Sequence, residues 1–165
     1  MQPHPLRSAV EARDVDAMIG TLAPDVVFRS PLISETFEGR DQVADLFRAL
    51  ADAFLFEGNT RYTDQLVDGD TAMLVFWVNV NGQPVQGVDL LKHDGEGKIK
   101  EMTVFLRPLP GATAVAQALS PRLAGRGSRT RAAFVGVGTR PLTALSKVFD
   151  AVGSRTVRRA RSTSH

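Results

Sequence analysis

The stretch that decides the fold runs from Val85 to Arg107 and reads VQGVDLLKHD, then GEG, then KIKEMTVFLR. Two apolar runs flank Asp94-Gly95-Glu96-Gly97, a sequence with turn chemistry. One carboxylate, Asp89, stands in the middle of the first run. A charge there is costly unless it is hydrogen-bonded or faces a cavity. Asp89 is therefore either a satisfied structural acid or the polar centre of a pocket.

Reading backwards from Val85, Asn81-Gly82 is the strongest hairpin signal in the chain. Before it, Thr71 to Val80 is densely apolar, Asp68-Gly69-Asp70 is a turn, and Asn59 to Val67 makes a further strand. Pro84 to His93 and Lys98 to Arg107 complete a meander, which Pro108 and Pro110 end. The N-terminal third is helical in pattern. Pro5 suits a first turn, followed by Leu6, Ala9 and Val10 at helical spacing. Asp14 caps a second helix carrying Val15, Met18, Ile19 and Leu22, which Ala23-Pro24-Asp25 stops. Val26 to Arg29 is a short strand closed by Ser30-Pro31, and a loop reaches Gly39. Asp41 then caps a third helix with Val43, Leu46, Phe47, Leu50 and Phe54 as its buried stripe. Ala112 to Ala124 forms one more helix. Helices followed by a long antiparallel meander make an α+β layout. The expected form is a curved, mostly antiparallel sheet wrapped around N-terminal helices as a cone-shaped barrel, with a C-terminal helical extension.

A chain of 165 residues that is 43% hydrophobic suits one domain with its own core. It has no run of roughly 18 apolar residues and no secretory pattern at MQPHPLRSAVEARD, which places it in the cytoplasm. The absence of cysteine excludes disulfides and thiol nucleophiles. His4, His93 and His165 lack zinc-ligand spacing, so no metal and no cofactor is expected. The net charge of +2 hides a division. Residues 1–120 carry 10 Lys/Arg against 17 Asp/Glu, whereas residues 121–165 carry 10 Lys/Arg against Asp150 alone. The chain thus divides into a folded body, residues 1–124, and a basic extension, 125–165. That extension holds one candidate helix at about 139–153 and a disordered end. Solvation of this tail, or docking on the body, is preferred over contact with an anionic membrane, and nucleic acid is not an expected partner.

Three segments carry a family resemblance: HPLRSAVEARDVDAMIGTLAPDVVFRSP, FEGRDQVADLF and GVDLLKHDGEGKIKEMTVFLRPL. Together, over residues 4–120, they resemble the nuclear transport factor 2-like superfamily, and within it the SnoaL-like group. The resemblance implies a cone-shaped α+β fold and a homodimer through the convex sheet face. Its members include ketosteroid isomerases, polyketide cyclases, epoxide hydrolases and non-enzymatic binding modules, so the fold alone assigns no function. Asp89 matches the strand carboxylate of the isomerases and cyclases. The isomerase base falls at Ser30 and the isomerase tyrosine near Leu6, and neither residue can do that work. The hydrolase arginine falls at Gly87, and Glu101 lies on the other face.

Strand alternation then gives the pocket wall. With Asp89 facing inward, so do Gly87, Leu91 and His93 on its strand. Leu74, Phe76 and Val78 follow on the strand before it, Met102, Val104 and Leu106 on the last strand, and Phe28 and Ser30 on the first. Tyr62, the only tyrosine, is a candidate partner for Asp89 and a candidate pocket residue. His93 reads as a rim residue. Val75, Trp77 and Phe105 face outward as a dimer patch. The expected function is binding of a small apolar molecule around Asp89. In an acid-base enzyme Asp89 would be the catalytic group, and a non-catalytic ligand-binding or dimerisation module is the alternative.

Overall fold

The computed structural model describes residues 2–57 and 59–123. The expected basic extension, with its candidate helix, lies outside these residues.

Two short helices open the chain, α1 (Pro5–Glu11) and α2 (Val15–Gly20). Asp14 caps α2 as its sequence position requires, its Oδ1 accepting from the Ala17 N–H at 2.9 Å. Next come β1 (Leu22–Arg29), β2 (Thr36–Glu38) and α3 (Arg40–Leu50), the last running on into a π-helical turn, Ala51–Leu55. The meander follows as β3 (Arg61–Asp68), β4 (Thr71–Val80), β5 (Gln83–His93) and β6 (Ile99–Arg107). Helix α4 (Leu109–Leu123) closes the described chain.

The six strands form one sheet in the order β2-β1-β6-β5-β4-β3. Every pairing is antiparallel except β1 with β6, which run parallel with Phe28 opposite Met102. The sheet does not close. Strands β2 and β3 are its two edges, so the expected barrel is an open α+β cone. At the β4–β5 hairpin Asn81 and Gly82 both take positive φ, 51° and 78°, as a two-residue primed turn demands.

Four local expectations change. Strand β1 begins at Leu22 and takes in Pro24, because its register against β6 shifts between Leu22 and Val27. A proline, lacking an N–H, fits such an irregularity. Residues Thr36–Glu38, expected as loop, pair with the end of β1. Helix α3 is capped by Gly39 at φ 83°, with Asp41 in its first turn. Helix α4 starts at Leu109, because Pro110 in a first turn lacks only an N–H that would have no partner there.

The helices cover the inner face of the sheet. Leu6, Met18, Phe47, Leu74, Leu91 and Leu119 are all buried. The N-terminus is fastened to the sheet by side-chain amides and imidazoles. Gln65 on β3 accepts from the His4 N–H at 2.7 Å and donates to the Gln2 carbonyl at 3.0 Å. His4 caps α1 through Nδ1, which accepts from the Leu6 N–H at 3.1 Å. Neutral His4 therefore carries its proton on Nε2, which points at His93 Nε2, 2.9 Å away. His93 in turn keeps its proton on Nδ1, 2.8 Å from the Asp70 carbonyl. A proton added to either ring sets N–H against N–H.

Burial, with His93 adding to it, holds His4 down from 6.5 to about 4. A depressed histidine leaves folding unaffected above the unfolded value. It costs stability as the pH falls from 6.5 towards 4, where only the unfolded chain binds the proton. His4→Asn keeps a capping oxygen and removes this titration. The thermal midpoint of the variant, followed by circular dichroism, should fall less steeply than wild type over that interval. Parallel curves would show that the imidazole pair does not gate stability.

Candidate functional site

Beneath the inner face lies a cavity of ≈ 90 Å³. Its sheet wall is formed by Phe28 and Ser30 with Pro31 and Leu32 beyond β1, Phe76 and Val78 on β4, Asp89 on β5, and Met102, Val104 and Leu106 on β6. Leu6 and Val10 of α1, Leu50 of α3, Phe54 and Leu55 of the π-helical turn, and Val115 and Leu119 of α4 border it from the helical layer. The π-helical turn is a common device at functional sites, since it breaks the regular spacing of a helix face.

Of the pocket residues expected from alternation, Phe28, Ser30, Phe76, Val78, Met102, Val104 and Leu106 border the cavity beside Asp89. Leu74, Leu91 and Tyr62 do not, which corrects the sequence reading. All three are buried on the inner face, where core packing leaves no space against them. Alternation selects a face but cannot tell hollow from filled. The contributions of α1 and α4 were legible only as helical stripes, whose simplest reading is core.

Asp89 is 4% exposed, and among the described residues Tyr62 is the one hydrogen-bond partner of its carboxyl. The Tyr62 hydroxyl donates to Asp89 Oδ2 at 3.2 Å, reaching over from edge strand β3. The Tyr62 ring packs edge-on against Phe76, with centroids 5.8 Å apart. Burial lifts the Asp89 carboxyl from 3.8 to about 7, and the Tyr62 hydrogen bond pulls it partly back. Tyr62 itself is raised well above 10 by burial first and by Asp89 second. Both protonation states of Asp89 are thus accessible near neutrality, a property suited to acid-base work or to donating a hydrogen bond. Ser30 and His93, the other polar side chains that alternation turns inward, are committed elsewhere. Ser30 Oγ accepts from the Leu32 N–H at 3.1 Å, and His93 faces His4 and the Asp70 carbonyl. Among the described residues no group of three or more His, Cys, Asp or Glu could hold a metal ion, and no helix is long and apolar enough to cross a membrane.

The SnoaL-like domain family matches residues 6–102, more than half of the chain, a span that runs from α1 to the start of β6 and includes Asp89. The chain belongs to the SnoaL-like family. No curated protein matches it. Among solved structures, this SnoaL-like chain is similar to a steroid delta-isomerase from Pseudomonas aeruginosa. The two are 28% identical with a TM-score of 0.66, over 72% of this chain and 85% of that one. It is also similar to an uncharacterized bacterial protein with a cystatin-like fold from Silicibacter pomeroyi DSS-3. There the identity is 28% and the TM-score 0.68, over 74% of this chain and 88% of that one. An NTF-2 like protein of unknown function from Burkholderia xenovorans LB400 shares the fold, at 19% identity and TM-score 0.51 over 62% and 77% of the two chains. The nuclear transport factor 2-like architecture thus agrees between family and fold.

The raised carboxyl has a measurable signature. Its carboxyl carbon, followed by NMR, should titrate near 7 in the wild type, and higher still in Tyr62→Phe, which removes the hydrogen bond favouring the charged form. A group raised on folding costs stability as the pH rises from 3.8 to about 7. Asp89→Asn should therefore be more stable than wild type at pH 8, by on the order of 2–4 kcal/mol, and should lose that advantage near pH 4. A wild-type midpoint near 4 would refute the buried-acid description.

Proposed function

We propose that this SnoaL-like protein binds a small, mostly apolar molecule bearing one oxygen, which Asp89 orients. The observation that carries the reading is Asp89 itself, a carboxyl in a wall that is otherwise almost wholly apolar, partnered among the described residues by Tyr62 alone. Ligand sites have this composition, apolar surface with a few convergent polar groups. Below its raised titration point the carboxyl is neutral and can donate to a carbonyl, hydroxyl or epoxide oxygen. Above it, the carboxylate can accept a proton.

Acid-base catalysis on a hydrophobic carbonyl compound, epoxide or polyketide-like ring is the enzymatic form of this reading, with Asp89 as its catalytic residue. A non-catalytic binding module is the other form. The Pseudomonas aeruginosa relative is a steroid delta-isomerase, but steroid isomerisation is not the reading here. The positions that resemble the isomerase base and tyrosine are Ser30 and Leu6, and the Ser30 oxygen is already turned to the Leu32 N–H. The cytoplasm is the proposed location, since a chain of 165 residues without cysteine suits a reducing compartment.

Self-association through the outer sheet face is the accompanying proposal. Leu66 and Met73 are paired across β3 and β4, and Phe105 is paired with Val88 across β5 and β6, all on the face opposite Asp89. Leu66 is 65% exposed and Phe105 55%, and this apolar surface supports contact with a second copy. Light scattering on the full chain should give the mass of a dimer, and Phe105→Asp that of a monomer. A monomeric wild type would remove the dimer from the proposal.

Small cyclic ketones and epoxides, screened by thermal shift, should stabilise the wild type. Asp89→Leu should weaken the best of them about tenfold, the worth of one hydrogen bond in an apolar site. Equal shifts in both proteins would remove Asp89 from the site.

A further inference from the structure

We propose that Phe76, seated on Gly87, sets the size limit of the cavity and restricts its occupant to a single ring. This rests on the reading of the cavity as a ligand site and adds the class of ligand.

Phe76 and Gly87 are direct cross-strand partners on β4 and β5, both on the inner face. The Phe76 ring lies where a side chain of residue 87 would stand. A Cβ built on Gly87 would fall 2.6 Å from Phe76 Cε1 and 2.8 Å from Cε2, and nearer still to Cζ. Real carbon atoms do not approach so closely, so any other residue at 87 must displace the ring. Phe76 borders the cavity, and the Tyr62 ring lies edge-on to it at 5.8 Å. The missing side chain at Gly87 thus gives the ring a seat at the sheet, and Tyr62 braces it. A ring displaced from that seat has the cavity as its free space.

The volume agrees. At ≈ 90 Å³ the cavity is well below the ~300 Å³ at which sites for drug-sized ligands begin. It is on the scale of the roughly 150 Å³ apolar cavity that admits benzene. One ring fits with slight relaxation, with its oxygen at Asp89, and two fused rings require Phe76 to leave. The glycine serves the same limit from the other side, because a methyl group there would push the phenyl into the space the ligand needs.

Phenol and 2-naphthol, which differ by one fused ring and keep one hydroxyl, separate the possibilities by titration calorimetry. Wild type should bind phenol, and 2-naphthol at least tenfold more weakly. Phe76→Ala should reverse that order, and Phe76→Leu should shift it in the same direction by less, which keeps the test available should the alanine variant not fold. Gly87→Ala should weaken phenol at least tenfold while retaining the wild-type circular dichroism. Equal affinities of wild type for the two probes, or an unchanged ratio in the Phe76 variants, would overturn the size limit and leave the ligand reading standing. Failure of wild type and folded Phe76 variants to bind either probe would overturn both.

Discussion

A carboxyl group withdrawn from water with one phenol for company is the constraint on which the rest of this structure turns. Desolvation opposes its charge, and a single hydrogen bond from Tyr62 only partly offsets that. A cost of several kcal/mol is a large share of the ~5–15 kcal/mol by which domains are stable. A leucine at that strand position would remove it. The surrounding fold must therefore be secure enough to carry the group, and the long β4–β5–β6 hairpins supply that. Asp89 sits at the centre of the middle strand, with Leu74 on one side and Val104 on the other. The strands fix its direction, and Tyr62 fixes which oxygen is occupied.

Much of this was legible in the residues. The turns Asp68-Gly69-Asp70 and Asn81-Gly82 set the hairpin ends, and once β5 was phased on Asp89 the inward set on β4 and β6 followed from alternation. Thr71–Val80 was read to the residue because both of its ends carry turn chemistry. What failed was where a local signal was absent. Strand β2 has three residues and is held by register with β1 rather than by its own pattern. The π-helical turn has no sequence signature, so Phe54 read as a simple continuation of the α3 stripe. Leu74 and Leu91 were placed in the wall because period two gives a side and nothing about depth.

The histidines show the same limit from another direction. His4 and His93 are 89 positions apart, and neither position in the sequence points to the other. Only the fold reveals that they share one proton-ordered chain from the Leu6 N–H to the Asp70 carbonyl. The acid-sensitive N-terminus and the acid-tuned cavity are then linked by α1, since Leu6 and Val10 on that helix border the hollow. Two groups with opposite responses to pH thus bear on a single helix: His4 is strained by protonation and Asp89 is relieved by it.

The parallel contact between β1 and β6 has a consequence for biogenesis. Met102, which meets Phe28, lies 74 positions further along the chain. Antiparallel neighbours β3 to β6 can zip locally as they emerge, whereas the first strand has only the short β2 beside it until β6 is made. Closing a loop of that length is slow compared with hairpin formation. Topology therefore lets the β3 to β6 hairpins form ahead of the contact between the first strand and β6. In that interval the greasy lining of the future hollow is open to solvent, and to any chaperone or neighbour that meets it.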